Sequence, residues 1–154
     1  KVVSGDIGND TPEKVATTES FKEKITGKII GIILYLDEIK DSAKENVDKY
    51  KKEFQDVEGK SFEKVVEELG EAKKAEKIFE AEYNSNHNNL GEKIIKANLQ
   101  EFILMYEKYC LEEKINEWTD NLRMEEGEND ELMKKVNSAS RRVQEIKDIL
   151  QKEV

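Results

Sequence analysis

The sequence is poor in the residues that most enzymes and metalloproteins use at their active sites. Its 154 residues include one histidine, one cysteine and one proline. A di-iron helical bundle needs two Glu-x-x-His motifs, and a zinc site needs several Cys or His ligands, so this chain lacks the groups for both. It also has no phosphate-binding loop of the G-x-x-x-x-G-K type. The sequence therefore predicts a protein that is not an enzyme and that holds neither a cofactor nor a metal ion.

Long apolar runs and an excess of basic charge are also missing. The most apolar stretch, residues 29–36, is interrupted by Gly31 and is much shorter than the roughly 20 residues of a membrane span. The formal net charge is -9, which argues against a nucleic-acid partner and against an anionic membrane surface. We therefore expect neither a transmembrane segment nor nucleic-acid binding.

The single cysteine and the first ten residues indicate the state of the thiol and the extent of the folded domain. Cys110 lies in an apolar run, so we interpret it as a small buried thiol, with intermolecular pairing as the alternative. Residues 1–10 are polar and contain glycine, which is typical of a flexible tether. The given sequence contains no signal peptide, and we interpret the chain as a mature or excised fragment with one domain over residues 11–154.

Charged residues are abundant, at 40% of the chain, and apolar residues recur between them every third or fourth position. From Phe21 to Val57 this spacing predicts one long helix, which would begin at Thr11–Pro12 or near residues 17–18 and end at Gly59. Gly27 and Gly31 lie inside it. They indicate either a bend or a place where another helix passes close.

Three further helices are predicted. Ser61 caps the second, whose apolar face runs from Phe62 to Tyr83 with a weak point at Gly70, and the polar run 84–89 ends it in a loop that exposes His87. The third spans 90–122 and is apolar nearly all round at its middle, which is typical of a central helix. A turn at 125–130 leads into the last helix. The fold class is therefore all-α, an antiparallel bundle of four helices, or five if the long first helix breaks.

Arginine is scarce, with three residues against 23 lysines. Because arginine and tyrosine are enriched at protein-interface hot spots, our candidate partner-binding residues are Arg123, Arg141, Arg142, Tyr106 and Tyr109. Ordinary solvated charge, or ion pairs with nearby glutamates, is the alternative for the arginines. Trp118 is interpreted as a core or half-buried residue.

Residues 125–143, EEGENDELMKKVNSASRRV, together with KINEW at 114–118, resemble the C-terminal helical part of Lyme-spirochaete outer-surface lipoproteins of the OspE/F-related (Erp or Elp) type. The resemblance implies an extracellular domain on the bacterial outer surface, held by a lipidated cysteine upstream of this sequence. Members of the group bind host proteins. Some Elp-type members bind the serine proteases of the first complement component, subcomponents r and s, and block the antibody-initiated pathway.

The expected function is therefore immune evasion by binding and inhibiting these proteases. The alternative is a structural or self-associating helical module without a host ligand.

Overall fold

The computed structural model describes residues 19–124 and 129–152, and every regular element in these ranges is helical. The six α-helices are α1 (Phe21–Leu34), α2 (Lys44–Glu58), α3 (Phe62–Leu69), α4 (Glu71–His87), α5 (Glu92–Met124) and α6 (Asp130–Lys152), and a π-helical turn, Tyr35–Ile39, follows α1. The all-α class is confirmed. The count of four or five helices is not confirmed, because two of the predicted helices are each divided.

The long first helix divides after the π-helical turn. The amide of Lys40 donates to the carbonyl of Tyr35, and Asp41 then takes a positive φ of 51°, which ends the helical path. At the other end, Ser20 and Glu23 form a capping box, with both hydrogen bonds at 3.1 Å. The hydrogen bond that the amide of Ser20 donates to the Glu23 carboxylate is the main cause of the lowered pKa of this carboxyl. The starts predicted at Thr11–Pro12 and at 17–18 lie outside the described residues.

The second predicted helix divides at Gly70. This residue has a φ of 91°, in the region that favours glycine, and it separates α3 from α4. The predicted cap at Ser61 is confirmed, since its hydroxyl accepts a hydrogen bond from the amide of Lys64 at 3.2 Å. The predicted stop at Gly59 is also confirmed, with a left-handed φ of 84°.

The polar run at 84–89 does not form the predicted loop, because α4 continues through it to His87. Ser85 is buried inside the helix and accepts a hydrogen bond from the hydroxyl of Tyr35 at 3.2 Å. The side chain of Asn88 donates to that of Asn84 at 2.7 Å, so an asparagine that was expected to break the helix instead closes its last turn. His87 is exposed as predicted, but it lies on a helix.

The main core lies where α1 contacts α4 and α5, and where α2 closes over the same side of α5. Helix α5 is the predicted central helix, with Ile95, Leu99, Ile103 and Tyr106 in this core. The ring of Phe54 on α2 stacks on Tyr106 at 5.8 Å and meets Phe62 of α3 edge-on at 6.2 Å. These aromatic contacts tie α2 and α3 to α5.

Helix α6 packs along α5 and buries Ala139, Val143 and Ile146. The side chain of Asn129 caps α6 by accepting a hydrogen bond from the amide of Leu132 at 3.0 Å. Residues 125–128 of the predicted turn lie outside the described part of the chain. Among the helices that the structure describes, none has a long enough apolar stretch to span a membrane.

Candidate functional site

The candidate residue Tyr106 is not part of any binding surface. Its side chain is 1% exposed, it stacks on Phe54, and its hydroxyl donates a hydrogen bond to the carboxylate of Glu58. Burial, followed by the bond to Glu58, raises the pKa of Tyr106. Its selection as a partner-binding residue was wrong, because the face of α5 that carries it turns towards α2.

Two more of the candidates make contacts within the chain. Arg142 donates to both carboxylate oxygens of Glu107 on α5, from Nε at 2.8 Å and from Nη2 at 2.9 Å. Tyr109 is half-buried, with its ring centroid 5.0 Å from that of Phe21. Arg142 therefore forms an ion pair with a nearby glutamate, which was the alternative given for the arginines.

Arg123 and Arg141 remain exposed, but the structure does not bring them together. Arg123 lies at the end of α5, and its nearest carboxylate oxygen, on Asp120, is 3.6 Å away in a fully solvated pair. Arg141 lies halfway along α6, roughly 17 Å from the first residue of this helix at 1.5 Å per residue. The five candidates do not form one site. Trp118 is half-buried, as predicted.

A different surface stands out on α4. Its side away from the core carries a row of small and aromatic side chains spaced three or four residues apart, which we call the α4 outer face: Ala72, Ala75, Phe79, Tyr83 and His87. All five are exposed; Phe79 is 64% exposed and Tyr83 is 59% exposed. Single exposed apolar residues are ordinary on a protein surface, but a contiguous row of them marks an interaction site.

The three rings of this face stack as a continuous ladder. The centroids of Phe79 and Tyr83 are 6.3 Å apart with 25° between their planes, and those of Tyr83 and His87 are 5.4 Å apart with 8° between their planes. The rings therefore lie side by side along one face of the helix. A partner would meet a contiguous row of rings.

The apolar face predicted for the second helix does not lie wholly in the core, because Ala72, Phe79 and Tyr83 are exposed. The helix has two apolar rows. The inner one, with Ile78, Ala81 and Ser85, packs towards the core and includes the aliphatic part of Lys77, which is 7% exposed. The available signal was the i, i+4, i+8 spacing of Phe79, Tyr83 and His87, which required reading the helix through to residue 87.

The charges around the α4 outer face are mostly negative. From residue 78 to its end at His87, α4 has two glutamates, Glu80 and Glu82, and no lysine or arginine. Glu82 borders the shallow depression between Phe79, Tyr83 and His87. It makes no ion pair with any of the residues that the structure describes.

A cleft of about 270 Å³ lies on the inner side of α4, between this helix, α1 and α5. The hydroxyls of Tyr35 and Ser85 bond to each other in its wall, and the ammonium of Lys28 lies 5.4 Å from the ring centroid of Phe102. The polar groups of Tyr35, Ser85 and Lys28 thus have partners within the wall of the cleft. Cys110 is a free thiol, half-buried, and burial raises its pKa.

Across residues 19–124 and 129–152 there is no group of three or more His, Cys, Asp or Glu side chains placed to hold a metal ion. No protein-family model matches the chain, and no curated protein or solved structure is significantly similar to it.

Proposed function

We propose that this chain is a host-protein-binding domain that acts through the α4 outer face and performs no catalysis. The observation that carries the proposal is the exposed ladder of Phe79, Tyr83 and His87. Aromatic side chains dominate the energetics of protein interfaces because they bury a large area at low entropic cost. In this proposal the helices form one antiparallel bundle that supports the face, and residues 1–10 are its tether.

The charges favour a different protein over a second copy of this chain. In an antiparallel pair of α4 helices centred on Phe79, the edge that carries Glu76 and Glu80 would face the same edge of the other copy. Like charges facing each other across an interface are unfavourable. This argues against the self-associating module, whose direct test is sedimentation at high concentration, where we expect a monomer.

The narrower form of the proposal is complement evasion. The resemblance of residues 125–143 to Lyme-spirochaete outer-surface lipoproteins supports a lipid-anchored domain that binds the serine proteases of the first complement component. The protein would hold a protease, or its zymogen, in an inactive arrangement by occupying its surface. The chain would supply contacts and no reacting group.

The test is equilibrium binding to immobilised subcomponents r and s, with wild type, F79A/Y83A and the control I94A/M133A. The control removes two other exposed apolar residues, which are 51% and 48% exposed, so its loss of apolar surface is comparable. We expect F79A/Y83A to weaken binding at least about tenfold and the control to leave it unchanged. Absence of wild-type binding at micromolar concentration would exclude the complement form of the proposal.

A further inference from the structure

We infer that the part of the partner that contacts the α4 outer face is a basic amphipathic segment, with apolar side chains flanked by lysine or arginine. The inference rests on the proposed function, which supplies the surface but says nothing of the partner's chemistry. It comes from where the charges of α4 lie relative to its exposed rings.

Two of the three lysines of α4, Lys73 and Lys77, are paired with carboxylates of the chain. The third, Lys74, is half-buried and lies on the inner row with Ile78. The ammonium of Lys77 lies 3.8 Å from a carboxylate oxygen of Glu19, 3.9 Å from Glu76 and 3.5 Å from Glu80. The ammonium of Lys73 also lies near Glu19, at 3.7 Å. Two ammonium groups are thus shared among three carboxylates, and this cluster retains negative charge.

The backbone of Lys77 is held in place by its contact with Gly31 of α1. Its aliphatic carbons lie between the two helices and its side chain is buried, so its charge lies beside α1 and away from the outer face. On the other edge of the face, Glu82 has no cationic partner among the described residues. The ring ladder is therefore bordered by carboxylates on both edges, with Glu76 and Glu80 on one and Glu82 on the other.

A segment that covers this surface must complement both the exposed rings and the carboxylates that border them. Its apolar side chains would pack on Phe79 and Tyr83 and fill the space over Ala72 and Ala75. Its cations would pair with the flanking carboxylates, and an arginine or lysine over an exposed ring gains a further cation–π attraction. The face spans about 22 Å from Ala72 to His87, at 1.5 Å per residue, which matches a partner helix of about four turns.

The experiment uses three synthetic helical peptides as probes and the full chain as the receptor. The first has a leucine face flanked by lysines, the second has the same face flanked by glutamates, and the third is the first with its leucines shuffled around the helix. Binding is measured by fluorescence anisotropy at about 150 mM salt, where attraction between distant surface charges is largely screened. Four receptors are compared: wild type, F79A/Y83A, E80Q/E82Q and the charge-matched control E63Q/E67Q, which removes two exposed glutamates of α3.

We expect the lysine peptide to bind wild type at least about tenfold more tightly than either other peptide. E80Q/E82Q should weaken the binding of the lysine peptide about threefold or more, and E63Q/E67Q should leave it unchanged. Equal binding of the lysine and glutamate peptides would overturn the inference. Equal weakening by both charge variants would also overturn it, because the attraction would then be to the net charge of -9 and not to this face.

The two proposals fail in distinguishable ways. If the natural partner requires Phe79 and Tyr83 but binds E80Q/E82Q as tightly as wild type, the α4 outer face is the binding surface and the basic-segment inference is wrong. If F79A/Y83A retains full affinity for both the natural partner and the lysine peptide, the surface itself is wrong.

Discussion

Gly31 of α1 and Lys77 of α4 touch backbone to backbone. A Cβ atom placed on Gly31 would lie 2.5 Å from the carbonyl oxygen of Lys77 and 2.9 Å from its carbonyl carbon. Glycine at residue 31 is what allows α4 to lie this close to α1. The contact sets which side of α4 turns inward, and so which side presents its rings to solvent.

Replacing Gly31 with alanine should therefore destabilise the fold. The new methyl group would push against backbone, which cannot move aside, and overpacking of this kind costs about 1–3 kcal/mol. At Gly27 the atoms in the way are the terminal carbons of the Lys77 side chain, which can shift, and alanine gains up to about 1 kcal/mol in helix propensity. Urea unfolding should show a clear loss of stability for G31A and little change for G27A. Equal effects would contradict the backbone contact.

The bidentate hydrogen bonding of Arg142 to Glu107 should stabilise the packing of α6 on α5. These hydrogen bonds raise the pKa of Arg142, whose side chain is 39% exposed, so solvent screens part of the attraction. A double-mutant cycle with R142A and E107A should give a coupling free energy of about 1 kcal/mol. R141A serves as the control and should change stability by less than about 0.5 kcal/mol. A coupling of zero would show that the pair contributes nothing to the fold.

Tyr106 should make stability fall at alkaline pH. Burial, together with its bond to Glu58, raises its pKa above the ordinary value of 10.0, so the folded chain holds the phenol proton more tightly than the unfolded chain. The contribution of this raised pKa to the free energy of unfolding is complete below pH 10 and decreases as the pH rises above that value. Y106F should cost about 1–2 kcal/mol near neutral pH and show a shallower alkaline decline in urea unfolding. An unchanged alkaline slope would contradict this assignment.

Cys110 should react slowly as a nucleophile. Burial raises its pKa, and the thiolate is the reactive form. Alkylation by iodoacetamide at pH 8 should therefore be at least about tenfold slower than for an unstructured cysteine peptide, and equally slow for the E82Q control. A rate equal to that of the peptide would favour the alternative of intermolecular pairing.

Much of the local structure could be predicted because its causes are local. Ser61 and Gly59 act on the few residues next to them, and the apolar spacing of α5 follows from its own sequence. The break at Asp41 could not be predicted in this way. It depends on the π-helical turn before it, where the buried Tyr35 bonds to Ser85 of a distant helix.

The candidate site was missed for a related reason. Helix α4 has two apolar rows, and periodicity alone cannot say which row faces the core. The choice is made by Gly31, which lies 46 positions before Lys77 in the chain and admits its backbone. The same packing explains why Tyr106 was misassigned: the apolar middle of α5 meets a different helix on each side, and only the arrangement of α2 shows that Tyr106 is covered.

The most direct test of the account is site-specific photo-crosslinking in host serum. A benzophenone side chain is placed at residue 83 in one variant and at residue 94, the exposed control position on α5, in another. We expect a discrete adduct with a host protein at residue 83, lost when excess unlabelled wild-type protein competes, and no such adduct at residue 94. An adduct of equal yield at both positions, or none at residue 83, would contradict the claim that this chain binds a host protein through the α4 outer face.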